Sequence, residues 1–250
     1  MSRPGSVCTL ATALAFLAAC AEAGPPPPPE GAIPAGTSIG SSSVSGRALY
    51  HGEIPEAEVI SMGSDPVCAS RGAGRTNESV VVGPGGALAN VFVAVESGLG
   101  DRLFAPPAEP VVMDQNGCAY APHVLGVQVN QPLEIVNSDP TMHNVHSVPA
   151  RNRPFNVGMA VQGQRVRKHF AEPEIMVRLK CDLHNWMNAW IGVSAHPFFA
   201  VSGPDGSWSI TGLPAGTYTL RAWHERFGER RVEVAIGDGE AAEVEFDFSP

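Results

Sequence analysis

The chain has 250 residues, with 16 Lys+Arg against 25 Asp+Glu and a formal net charge of −9. That acidity argues against nucleic acid as a partner. The composition is 44% hydrophobic, enough for a core, and 27 Gly with 23 Pro favour many turns and short strands over long helices.

In chain order, the first segment reads as an export signal. Arg3 supplies a positive start, and Val7 to Ala18 is an apolar run too short to span a bilayer. The run closes on Leu17-Ala18-Ala19-Cys20, a pattern that resembles the bacterial lipobox. Cleavage after residue 19 would leave Cys20 to be lipidated. Cleavage at the Ala-x-Ala site Ala19-Cys20-Ala21 is the alternative, and both routes predict an exported chain. Ala21, not Asp, follows the cysteine. By lipoprotein sorting rules this favours the outer membrane, so a periplasmic protein held by an N-terminal lipid anchor is expected. Residues 20–45 read as a tether, stiff over the prolines 25–29 and flexible over the Gly- and Ser-rich stretch that follows.

From Gly46 the pattern is β. Val80–Val82, Leu88–Val95, Val111–Met113, Leu133–Val136, Ile175–Leu179 and Trp190–Val193 are rich in β-branched residues and separated by Gly, Pro, Asn or Asp. No long amphipathic helix is predicted. The character changes after His196, where Pro204-Asp205-Gly206 and Leu213-Pro214-Ala215-Gly216 mark turns between further short strands. The expected division is one β domain over 46–196 and a smaller one over 197–250, an all-β chain of sandwich type. The second piece is short for a complete sandwich and is expected to borrow strands or to pack against the first.

Cysteine arithmetic isolates one thiol. Cys8 leaves with the signal and Cys20 carries the lipid, which leaves Cys68, Cys118 and Cys181. In an oxidising compartment two of the three should pair. Only Cys181 has ligand-type neighbours, in Cys181-Asp182-Leu183-His184-Asn185-Trp186-Met187, so Cys68–Cys118 is the expected bridge. It closes a loop of roughly fifty residues, worth about 4 kcal/mol in the chain-entropy model. A bridge through Cys181 would abolish the site described next. A strand-like run ends at Lys180, so the thiolate sits on a rigid element, and His184 and Met187 follow at three-residue steps. A second imidazole is available upstream in Met142-His143-Asn144-Val145-His146. Two imidazole nitrogens, one thiolate and a weak thioether suit copper in an electron-transfer site. Zinc rarely takes a thioether, and hard cations want oxygen.

Met142-His143-Asn144-Val145-His146 together with Cys181-x-x-His184-x-x-Met187 resembles a cupredoxin, most like the amicyanin/plastocyanin branch. The resemblance covers roughly residues 125–196. It implies a Greek-key β-sandwich holding one type 1 copper, with His143, Cys181, His184 and Met187 as ligands. It also implies Asn144 as a residue beside the Cys181 sulfur, and a redox protein as partner. In the family an exposed ligand histidine lies in an apolar docking patch, which here would be His184 with Trp186. The loop departs from the family pattern in carrying Asp182-Leu183 and Asn185-Trp186 where a proline is usual. The run Asp205–Tyr218 resembles the carboxypeptidase regulatory-like (transthyretin-like) sandwich.

Other candidates are weaker. His146 lies three residues beyond His143 and so faces the other side of a strand. His51, His123 and His169 are expected as surface or hydrogen-bonded structural residues. For His196 and His224 packing is favoured over a second metal site, and for Trp190 a place between the two β domains. The basic cluster Arg151, Arg153, Arg165, Arg167 and Lys168 reads as a solvated face. No nucleophile–base pair and no phosphate-cradling loop is present, so an enzyme is not expected. The rival readings are a copper buffer or sensor without electron traffic, and a surface adhesion or carbohydrate-binding lipoprotein.

Overall fold

Period-two burial sets the strands. In Gly216–His224 the side chains of Tyr218, Leu220, Ala222 and His224 turn inward while the alternate positions stay at least partly exposed, the signature of a sheet with one covered face. The computed structural model describes residues 24–250. Cys20 and the export segment lie outside them.

In chain order the strands are β1 (Ser42–Tyr50), β2 (Phe92–Ser97), β3 (Val111–Gln115), β4 (Tyr120–Ala121), β5 (Val124–Gln128), β6 (Leu133–Asn137), β7 (His143–Val148), β8 (Asn156–Met159) and β9 (Arg165–Lys168). There follow β10 (Glu174–Lys180), β11 (Asn188–Ser194), β12 (Phe199–Val201), β13 (Ser207–Leu213), β14 (Gly216–His224), β15 (Gly228–Ile236), β16 (Ala241–Glu243) and β17 (Phe246–Phe248). Among the described residues one α-helix, α1 (Pro66–Arg71), interrupts them. Among the described residues no helix is long and apolar enough to cross a membrane. The all-β class expected from the sequence is what the described residues adopt.

The strands form two layered units. One packs the sheet β5-β11-β10-β7-β8 with β4-β3-β6-β9 around Met113, Leu133, Ile135, Val145, Val177, Leu179 and Ile191. The other packs β1 with β13, β16 and β17 across from β12-β2-β14-β15, around Val44, Leu88, Val93, Trp208, Leu220 and Phe246.

This pairing departs from the division at residues 46 and 196. β1 and β2 come from the N-terminal part yet pair only with strands of the C-terminal unit: β1 with β13, β16 and β17, and β2 with β12 and β14. Residues 197–250 alone would leave these edges open, so strands from upstream complete the sandwich. The stretch read as tether is also partly bound. Ile33 exchanges backbone hydrogen bonds with Leu103 and Ala105, and β1 begins at Ser42.

Aromatic rings on bare backbone join the units. A Cβ at Gly192 would lie 2.5 Å from the Phe92 ring, and one at Gly126 would lie 2.4 Å from the Phe199 ring. Only glycine lets β5 and β11 approach β2 and β12 this closely. Beside this contact Trp190 packs on Trp223 with ring centroids 5.2 Å apart, and Glu225 accepts hydrogen bonds from Trp190 Nε1 and from His123. Trp190 therefore lies between the units, as the sequence reading favoured.

Candidate metal centre

The site grows from two neighbouring strands. β7 begins at His143 and pairs with β10, and β10 ends at Lys180, one residue before Cys181. The ligand loop then closes on itself: Met187 N donates to His184 O, Cys181 N donates to Met187 O, and β11 starts at Asn188. Strand ends with paired backbones hold their side chains to a narrow range of positions.

Three predicted ligands come together. His143 Nδ1 and His184 Nδ1 are 3.0 Å apart, and Cys181 Sγ is 3.7 Å from His184 Nδ1. The donor atoms of all three lie within 4.8 Å of one another. All three residues are buried, with His143 at 0%, Cys181 at 2% and His184 at 5% exposure. Met187 is buried in the same core cluster as Cys181. Cys181 is a free thiol, and Cys68 is bridged to Cys118. His146 points elsewhere, to Asp182, in keeping with its odd separation from His143. Asn144 does sit at the sulfur: its Oδ1 is 3.2 Å from Cys181 Sγ and accepts from Asp182 N at 2.7 Å.

The electrostatics ease ionisation of Cys181. Burial pushes the Cys181 thiol up, but the His143 ring and backbone groups of Asn144, Leu183 and His184 outweigh it, and the net shift is downward. Burial alone would lower His143, yet Asp139 and Cys181 raise it to about 9. Burial lowers His184; Asp65 opposes this, the charge of His143 adds to it, and the net shift is downward.

Two carboxylates that the motifs did not reveal hold the outer nitrogens. Asp139, fully buried in the turn before β7, lies 3.1 Å from His143 Nε2 and accepts from Gly117 N, Cys118 N and Arg71 Nε. Burial raises the Asp139 carboxyl, but its partners, His143 foremost, bring it down to about 2. Asp65, the N-cap of α1, lies 3.3 Å from His184 Nε2. In sequence Asp139 is only an Asp four residues before His143, and Asp65 lies more than a hundred residues from His184.

The expected exposure of His184 does not hold. Helix α1 and the disulfide cover its outer edge, with Cys68 Sγ 3.7 Å from His184 Nε2. Trp186 is half-buried, its ring centroid 5.0 Å from that of His184, and its Nε1 donates to Cys118 O at 3.0 Å. The covering segment lies before residue 125, outside the stretch that carries the family resemblance.

The other histidines lie away from the centre, with His169 half-buried just after β9. His196 is 2.8 Å from Val95 O through Nε2, His224 stacks on Phe227 at 4.8 Å, and exposed His51 pairs with Asp247. Among the described residues neither His196 nor His224 joins a three-ligand group. Two further groups, Asp65/Cys68/His184 and Cys118/Asp139/His143, each count a disulfide sulfur, which is no thiolate.

The residues present fit a soft cation. Two imidazole nitrogens and a sulfur packed this closely repel through their lone pairs unless a proton or a metal is shared among them. The thiolate and imidazole set suits copper, and with the carboxylates engaged on Nε2, Nδ1 of each ring would be the atom left to hold an ion.

No family model matches the chain, and no curated protein matches it. Among solved structures the chain is similar to a Cu-containing nitrite reductase from Thermus scotoductus SA-01, at 25% identity and TM-score 0.32 over 38% of this chain. It spans only 24% of that reductase's length. It is also similar to a purple cupredoxin from Nitrosopumilus maritimus, at 21% identity and TM-score 0.30, covering 34% of this chain and 99% of that one. An oxidized amicyanin variant matches at 20% identity and TM-score 0.32, covering 42% of this chain and 99% of that one.

Proposed function

We propose that the protein is an exported electron carrier holding one copper ion at His143, Cys181, His184 and Met187. The observation that carries this reading is the buried convergence of the Cys181 sulfur and the two Nδ1 atoms. Bound copper would supply a one-electron Cu(II)/Cu(I) change. The chain supplies a thiol whose ionisation its neighbours ease, two imidazoles whose outer nitrogens are tied to carboxylates, and a loop pinned between β10 and β11. Ligands held this firmly move little between oxidation states, which keeps the cost of electron exchange low. Placement in the periplasm on a lipid at Cys20 belongs to the same reading and rests on the export segment.

The test is direct. Purified protein given Cu(II) should take up one equivalent and develop intense visible absorption with a paramagnetic signal of a thiolate-bound ion. Cys181→Ser should remove that absorption while far-ultraviolet circular dichroism stays unchanged. Wild-type protein that refuses Cu(II), or a Cys181→Ser variant as coloured as wild type, overturns the reading. The burial of His184 gives weight to a second reading, a copper buffer. A very slow self-exchange rate in loaded protein would favour it.

A further inference from the structure

We propose that electrons leave the centre through Trp186, and that the cleft lined by Trp186 receives a redox protein presenting a carboxylate-rich face. The inference rests on the electron-carrier reading and names its exit and partner. The outer nitrogen of His184 faces Asp65 and Cys68, so no partner reaches that imidazole edge. The neighbouring aromatic ring is Trp186, on the ligand loop itself, 5.0 Å from His184 between centroids and fixed by its bond to Cys118 O. Its indole is half-buried and so bridges the sealed interior and the surface.

That surface is a cleft of about 330 Å³ where the loop meets the joint between the two units, lined by Tyr120, His123 and Trp190 besides Trp186. Arg75, Arg178 and Arg226 line it as well. Arg75 pairs with Glu78, and Glu225 is engaged by His123 and Trp190. Arg178 bonds the Asn188 amide, and among the described residues neither Arg178 nor Arg226 forms an ion pair with a carboxylate. Glu78 and Glu225 line the cleft too, so Arg75 is offset by its partner, and the positive excess of the site comes from Arg178 and Arg226. On a chain of net charge −9 that local excess steers an anionic partner. In the transfer the acceptor gains the single electron that the centre gives up; no bond forms and no proton moves.

The experiment follows oxidation of the reduced, copper-loaded protein by stopped flow at low salt, with anionic hexacyanoferrate(III) and with cationic tris(phenanthroline)cobalt(III). Trp186→Leu should slow both reactions severalfold while colour and potential stay at wild-type values. Trp186→Phe, which keeps a ring, should restore most of the rate and guards against a folding defect in the leucine variant. Arg178→Gln with Arg226→Gln should slow only the anion, by about threefold or more at low salt, and added salt should abolish the difference. An acidic one-electron protein should be reduced faster than a basic one of matched potential. Wild-type rates in Trp186→Leu with intact colour overturn the exit. An unchanged anion-to-cation ratio in the arginine variant, or a preference confined to the small anion, overturns the partner. Failure to take up copper at all overturns the electron-carrier reading along with the exit.

Discussion

At the scale of single residues, Asp139 does more for the site than its turn-like context suggests. A fully buried carboxylate is costly unless its lone pairs are filled, and here His143, two backbone N–H groups and Arg71 fill them. The return is a fixed His143 ring. Asp139→Asn should therefore weaken copper binding by about 10–100-fold, the usual range for a residue that orients a ligand, as read by chelator competition. The same variant carries a pH signature. The Asp139 carboxyl drops from 3.8 to about 2 on folding, so its contribution to stability is complete above about pH 4 and is lost as pH falls toward 2. Denaturant midpoints taken between pH 5 and pH 2 should fall less steeply in Asp139→Asn than in wild type, and parallel curves would count against this role.

At the scale of elements, α1 and the disulfide act as a lid over the centre. Asp65 caps the helix through Val67 N and Cys68 N while its other oxygen reaches His184 and Thr141. The bridge joins cysteines 50 positions apart and pins the helix against the turn at Cys118. Replacing both cysteines by serine should cost about 3–4 kcal/mol of folding stability through the larger entropy of the unfolded chain. It should also loosen the cover on His184. Thermal unfolding should register the first effect, and faster removal of copper by a chelator the second; removal at the wild-type rate would mean that the lid stays closed without its bridge. The bridge itself was legible in sequence, because Cys181 alone has histidine and methionine at ligand spacing. The lid was not, since nothing local in Asp65–Arg71 points toward a loop more than a hundred residues downstream.

At the scale of the molecule, the two units share chain segments and do not follow each other in sequence. β1 and β2 supply the C-terminal unit with Val44, Ala48, Val93 and Val95 of its core. A chain ending at residue 196 keeps the ligands but strips these strands of every sheet partner. Exposed apolar strands with open edges associate. The truncated chain should therefore run as aggregate on size exclusion, whereas a monomer with wild-type copper colour would show the first unit to be independent. The same joint makes the Trp190–Trp223 contact and one wall of the cleft beside Trp186, so the proposed docking cleft, unlike Trp186 itself, depends on the assembled molecule.

The sequence by itself determined the β class, through period-two alternation and turn residues, and it determined the ligand candidates. Cys181, His184 and Met187 are covalently close, and a strand that ends just before Cys181 sets their directions. His143 was legible through the family resemblance of Met142–His146, which singled it out over His146. Tertiary structure alone decided which carboxylates hold the imidazoles, that His184 is sealed from solvent, and which strands complete the second unit. Each of those contacts joins segments remote along the chain or depends on how strands pair. Pairing is settled by collective burial of apolar faces, to which no short stretch of residues holds the key.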